Sequence, residues 1–151
     1  MEEDFCEPLD EEGLKKAAVI PKVKGRKVVL FYNYIGLPVE GGDMLFVWDL
    51  EDNLYVHQAQ GSDFHHVCFK RAMPVKMAGE VAVGHHGILK EVWAASGHYK
   101  PTDAHLREFY RFLQRKLPRM TPSMVKWVNE YTELKPREFA KYLFAKEETS
   151  Y

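Results

Sequence analysis

Hydrophobic positions follow two regimes along the chain, and the change comes near residue 101. Before it, apolar residues run together or alternate over short spans; after it, they recur every three or four positions. Val28-Val29-Leu30-Phe31-Tyr32 reads as a strand, because a run this short and this rich in β-branched and aromatic residues suits a pleated surface. Residues 19–23 read as a short extended piece around Pro21, with Gly25-Arg26-Lys27 as punctuation. Residues 35–42, with three glycines and Pro38, form a loop. Residues 44–49 and 53–58 make two strands around Leu50-Glu51-Asp52, a hairpin. Residues 64–69 suit a strand or a helix start. Residues 80–83 alternate and pair with 88–93 across Gly84-His85-His86-Gly87 as a second hairpin.

Beyond Pro101, Leu106, Phe109, Tyr110, Leu113 and Leu117 form one stripe down a helix. Thr121-Pro122 reads as a cap and first-turn proline, and Met124, Trp127, Val128 and Tyr131 give a second stripe. Pro136 opens a third helix with Phe139 and Leu143 inward. Strands first and helices last indicate an α+β fold. The expectation is a small, mostly antiparallel β-sheet, continuous or split, in the first two-thirds, followed by about three C-terminal helices. Residues 1–16 read as an acidic surface arm, and 17–151 as one domain. Trp93 and Trp127 are expected inside, joining sheet to helices.

At 151 residues, 46% hydrophobic and 13% aromatic, the chain suffices for one buried core. A net charge of −1 excludes a general trap for polyanions. Seven of the 22 acids but only two of the 21 bases fall within residues 1–16, which leaves the rest mildly basic. Cys6 and Cys68 suggest no disulfide framework, and this favours a reducing compartment. No apolar run reaches the ~20 residues of a membrane span, and the acidic start is unlike a signal peptide. The expected location is cytoplasmic, or a target-cell cytosol reached as part of a larger secreted protein, with no membrane partner.

Residues 87–102 join the two regimes. Ser96-Gly97 breaks the strand that ends at Trp93, and Pro101 pushes Lys100 away from helical angles. Thr102 then caps the next helix, with Asp103 in its positive first turn. His98 and Tyr99 thus sit on a rigid elbow between sheet and helix, with Gly97 at angles poor for other residues.

Phe64-His65-His66-Val67-Cys68-Phe69, Met73-Pro74-Val75, Ala78-Gly79-Glu80, Gly87-Ile88-Leu89 and Ser96-Gly97-His98-Tyr99-Lys100-Pro101-Thr102 keep one order and spacing. Over about residues 43–115 this series resembles the C-terminal module of the plant IQ-motif calmodulin-binding (IQM) proteins. It equally resembles toxin or effector domains at the ends of bacterial polymorphic secreted proteins. The first resemblance implies a non-catalytic interaction module. The second implies a toxin or effector with a macromolecular target, protein or RNA, and a cognate inhibitor or immunity protein. Relatives carry two serines after the histidine matching His66, where this chain has Val67 and Cys68. The chain holds no IQ motif, so calmodulin binding does not carry over.

Seven histidines invite a metal reading, but His65-His66 and His85-His86 send neighbours to opposite faces if extended. No cysteine or acid lies at zinc-ligand spacing, so no metal is expected. Cys68 between Val67 and Phe69 reads as a buried thiol, and Ser96 lacks the Gly-Xaa-Ser-Xaa-Gly frame of a hydrolase.

The remaining constellation suits ADP-ribosyl transfer from NAD. His66 or His98 would hold the ribose, and Tyr99 or Tyr55 would stack on nicotinamide. Glu80 or Glu91 would steady an oxocarbenium-like transition state, with Ser96 and Gly97 lining the cofactor. The plainer reading makes Tyr99 a tether for the elbow and Glu80 a solvated edge residue. An RNA- or phosphate-binding reading uses Arg107, Arg111 and Arg115, which share a helix face at i, i+4 and i+8. Such a strip also serves as an ordinary solvated face.

Overall fold

The Asp10 carboxylate accepts a hydrogen bond from the Gly13 N–H (2.7 Å) and starts helix α1, Glu11–Ala17. Glu11 and Glu12 in its first turn and Lys15 and Lys16 in its last complement the helix dipole. The computed structural model describes residues 9–58, 74–94 and 102–129. After α1 come β1 (Ala18–Lys24), β2 (Lys27–Tyr32), β3 (Gly42–Asp49), β4 (Leu54–Gln58), β5 (Val75–Val83) and β6 (Leu89–Ala94). Helix α2 (Asp103–Lys116) and strand β7 (Lys126–Asn129) follow, with single 3₁₀ turns at His85–Gly87 and Pro122–Met124.

Among the described residues, the seven strands form one sheet in the order β2-β1-β4-β3-β5-β6-β7. Every neighbouring pair is antiparallel except β6–β7, which is parallel. The sheet curls on itself, so that Val29 on edge strand β2 bridges Ile88 just before β6. Side chains from β1 to β6 converge with Phe109 and Leu113 of α2 around a residual apolar void of about 20 Å³.

Alternation puts Met44, Phe46, Trp48, Val56, Val81 and Val92 on the face that α2 covers. There Phe46 stacks on Phe109 (5.0 Å between centroids), Trp48 on Phe112 (4.8 Å), and Tyr110 meets Trp127 edge-on (5.5 Å). Gly79 makes this packing possible. A methyl carbon there would lie 2.1 Å from the Trp93 carbonyl oxygen and 2.8 Å from the Phe46 ring. The opposite face carries a smaller cluster of Ala17, Leu45, Val47 and Ala78, flanked by Leu9, Tyr55 and Val75.

Asp49, buried at the end of β3, accepts from the N–H groups of Glu51 (2.9 Å) and Asn53 (2.8 Å) and so builds the β3–β4 turn. Thr102 caps α2 as expected. Its hydroxyl accepts from the His105 N–H (3.3 Å), while its own N–H donates to His105 Nδ1 (3.0 Å).

Two expectations are corrected. The α+β plan of a small sheet followed by about three helices does not hold. A seven-stranded sheet dominates, and among the described residues only α1 and α2 are α-helices. The stripe of Met124, Trp127 and Val128 is not helical. After the 3₁₀ turn at Pro122, Val125-Lys126-Trp127-Val128-Asn129 extends, with Lys126 exposed and Trp127 buried. Its β-branched and aromatic residues suit a strand, and the exposed side of β6 supplies the partner. The Asn129 amide donates to the Asp103 carboxylate (2.6 Å) and ties the end of β7 to the start of α2.

Trp93 is the second correction. It is only half-buried, on the face opposite Trp127, and its indole N–H donates to Glu91 (2.6 Å). The third helix proposed from Pro136 and the segment 64–69 lie outside the described residues.

Candidate functional site

Of the residues proposed for nucleotide chemistry, His66, Ser96, Gly97, His98 and Tyr99 lie outside the described residues, as does Cys68. Glu80, Glu91 and Tyr55 fall on one face, the side of the sheet away from α2. Register sets His57, Leu45, Glu80, Trp93 and Val128 in one row across β4, β3, β5, β6 and β7. Tyr55, Val47 and Ala78 form the next row. Glu80 and Tyr55 are thus two strands and one row apart, about 12 Å at Cα.

Arg107, Arg111 and Arg115 all lie on α2 at the expected spacing but differ in exposure. Arg107 is half-buried, and its enclosed Nε meets no hydrogen-bond partner among the described residues. Arg111 is half-buried and within 3.5 Å of Glu108. Arg115 alone of the three is exposed. Its charge adds to the forces that hold the Asp52 carboxyl below the usual range, chiefly the hydrogen bond from Lys76 (2.7 Å). Among the described residues no three His, Cys, Asp or Glu side chains group as metal ligands, and no helix is long and apolar enough to cross a membrane.

The geometry points instead to surfaces that the sequence pattern did not single out. Residues 33–41 fold tightly between β2 and β3. The Tyr32 N–H donates to the Leu37 carbonyl and the Gly36 N–H to the Tyr32 carbonyl (both 2.8 Å), and Val39 N–H reaches Leu30 (2.9 Å). Gly36 takes the positive φ (+70°) that this turn needs. The turn holds Tyr34, Ile35 and Leu37 out in solvent, 46%, 48% and 57% exposed.

Beneath it, the Tyr32 hydroxyl donates to Glu40. Burial first, then that bond and the Glu40 charge, push the Tyr32 phenol well above its ordinary value, so it stays protonated. A signal for this turn was present: Tyr34, Ile35 and Leu37 are large apolar residues in a segment read as loop. A second feature is an open groove of about 490 Å³ between β1, the β3–β4 turn and the end of α2.

The described surface thus carries an apolar turn and an open groove beside a curled sheet. The model of the IQ motif-containing protein middle domain matches residues 26–106, more than half of the chain, and the chain belongs to that family. The match is to a middle domain, where the resemblance had suggested a C-terminal module. Over 82 residues (54% of this chain) it is 38% identical to the IQ domain-containing protein IQM5 of Arabidopsis thaliana. Over 117 residues (78% of this chain) it is 30% identical to IQM4, and over 91 residues (56%) 33% identical to IQM2, both of the same plant. The aligned segments make up only 16%, 21% and 15% of those three proteins. No solved structure matches. Relatives of this kind overturn the toxin and ADP-ribosyltransferase expectations, because they are IQ domain-containing proteins and neither toxins nor transferases, and they give no support to NAD as a cofactor.

Proposed function

We propose that this chain is a non-catalytic protein-interaction module. The observation that carries this reading is the rigid turn exposing Tyr34, Ile35 and Leu37. Apolar side chains of this size gain about 1.5–3 kcal/mol each when fully buried. These three are each about half exposed, so a partner that covered them would gain about 2–5 kcal/mol, with little backbone left to order, and contacts around the turn would supply the remainder. Membership of a family named for an IQ motif, in a chain that contains none, supports a role for the middle domain's own surface.

The test places a photoreactive amino acid at position 34 in the full-length protein. Crosslinked proteins are identified by mass spectrometry, and the affinity of each is then measured with purified components. Ile35→Ser with Leu37→Ser should leave the melting temperature within a few degrees and weaken binding at least tenfold. Unchanged affinity for every crosslinked partner would overturn the reading.

A further inference from the structure

Strand β1 is paired along one side and, among the described residues, nearly unpaired along the other. β2 meets it from Val19 to Lys24, whereas β4 meets it only at Ala18 and Val19, where β4 begins at Leu54. The Ala18 carbonyl accepts from the Asn33 N–H (3.0 Å) just past the end of β2, so even-numbered backbone groups of β1 point toward β2. Odd-numbered groups point the other way. Val19 finds Leu54 there, but the Pro21 carbonyl and the Val23 N–H and carbonyl face no strand among the described residues. Pro21 has no N–H to leave unmet. The 490 Å³ groove runs along this bare edge, with Leu54, Phe112 and Leu117 as its apolar wall and Lys116 at its rim.

Side-chain alternation makes the edge two-toned. Val19 and Val23 turn inward, while Ile20, Lys22 and Lys24 turn outward. The ammonium groups of Lys22 and Lys24 stand 5.4 and 5.7 Å from the Phe31 ring, and that of Lys116 stands 5.7 Å from Phe112. Four of the six residues 22–27 are basic. Asp52, the acid in the groove lining, is already engaged by Lys76 and Trp48.

We infer that the bare edge of β1 takes an extended segment of a partner protein in which apolar and acidic residues alternate. The segment adds as a strand through the Pro21 carbonyl and the Val23 N–H and carbonyl. Its apolar residues lie inward over Leu54, Phe112 and Leu117, and its acids stand beside Lys22 and Lys24. Lysines and a proline on an edge discourage indiscriminate strand pairing, and here the lysines also select the partner's charge. The inference rests on the interaction-module reading but uses other residues than the turn at Ile35 and Leu37, so either can fail without the other.

The test is an NMR titration of the ¹⁵N-labelled chain with two capped octapeptides, one alternating valine and glutamate and one alternating valine and lysine. The glutamate peptide should shift and protect the Val23 amide, with an affinity that falls as salt rises. Lys22→Glu with Lys24→Glu lies on the solvent side and should weaken it at least tenfold at an unchanged melting temperature. Val23→Pro should abolish binding by removing the donor. Equal binding of the lysine peptide, or shifts confined to other strands, would overturn the inference. So would concentration-dependent self-association through the Val23 edge, which would make a second copy the occupant.

Discussion

The two faces of this sheet differ more than alternation alone requires. The face under α2 is filled by large rings, with Phe46, Trp48, Phe109, Phe112 and Trp127 in mutual contact. The other face has a small aliphatic cluster and sets Glu80, Glu91, His57 and Tyr55 among it. Two tryptophans measure the difference. Trp127 is 2% exposed, while Trp93, paired with the next residue of the same strand, is half-buried and hydrogen-bonded to Glu91. One face therefore holds the fold together, and the other is free to carry polar groups.

The sharpest way to break that comparison is to truncate both rings. Trp127→Ala should cost about 3–5 kcal/mol in chemical denaturation, and Trp93→Ala less than half as much. Equal losses would mean that the two faces share the load. Gly79→Ala should cost about 1–3 kcal/mol, because the new methyl meets a backbone oxygen that cannot yield. It should also speed amide exchange along β5 and β6. Thr102→Ala should cost about 1 kcal/mol by leaving the first turn of α2 uncapped; a melting shift of several degrees on that helix alone would check it.

The smallest effect concerns the region around the exposed turn. The Tyr32 pKa is raised on folding, so its contribution is complete below the ordinary tyrosine value near 10 and is lost as pH rises beyond it. Tyr32→Phe should therefore flatten the alkaline limb of a stability–pH profile and slightly lower the neutral plateau, where the hydroxyl still donates to Glu40.

How much of this was legible in the sequence follows from which forces act locally. Val28 to Tyr32, the 44–58 hairpin and the α2 stripe declared themselves because side-chain period and capping residues agree within each segment. The stretch around Trp127 did not. Its spacing fits a helical stripe as well as alternation, and the deciding factor is a vacancy beside β6, a strand some 35 residues earlier in the chain. Trp93 was misplaced for a related reason: adjacent Val92 and Trp93 face opposite sides of β6, and hydrophobicity alone does not say which of the two looks inward. The unpaired edge of β1 was invisible because it depends on where β4 begins. The elbow at 96–101 and its two rings lie outside the described residues.

The parallel strand β7 has a consequence for where this domain ends. The family match closes at residue 106, four residues into α2, yet the ring-filled interior is roofed by the rest of that helix and closed by a strand beginning at Lys126. A fragment cut at the family boundary would uncover Phe46 and Trp48 and leave β6 as a raw margin, a recipe for clumping rather than folding. The smallest autonomous unit therefore reaches at least to Asn129, because β7, the last strand among the described residues, is what covers the margin of β6.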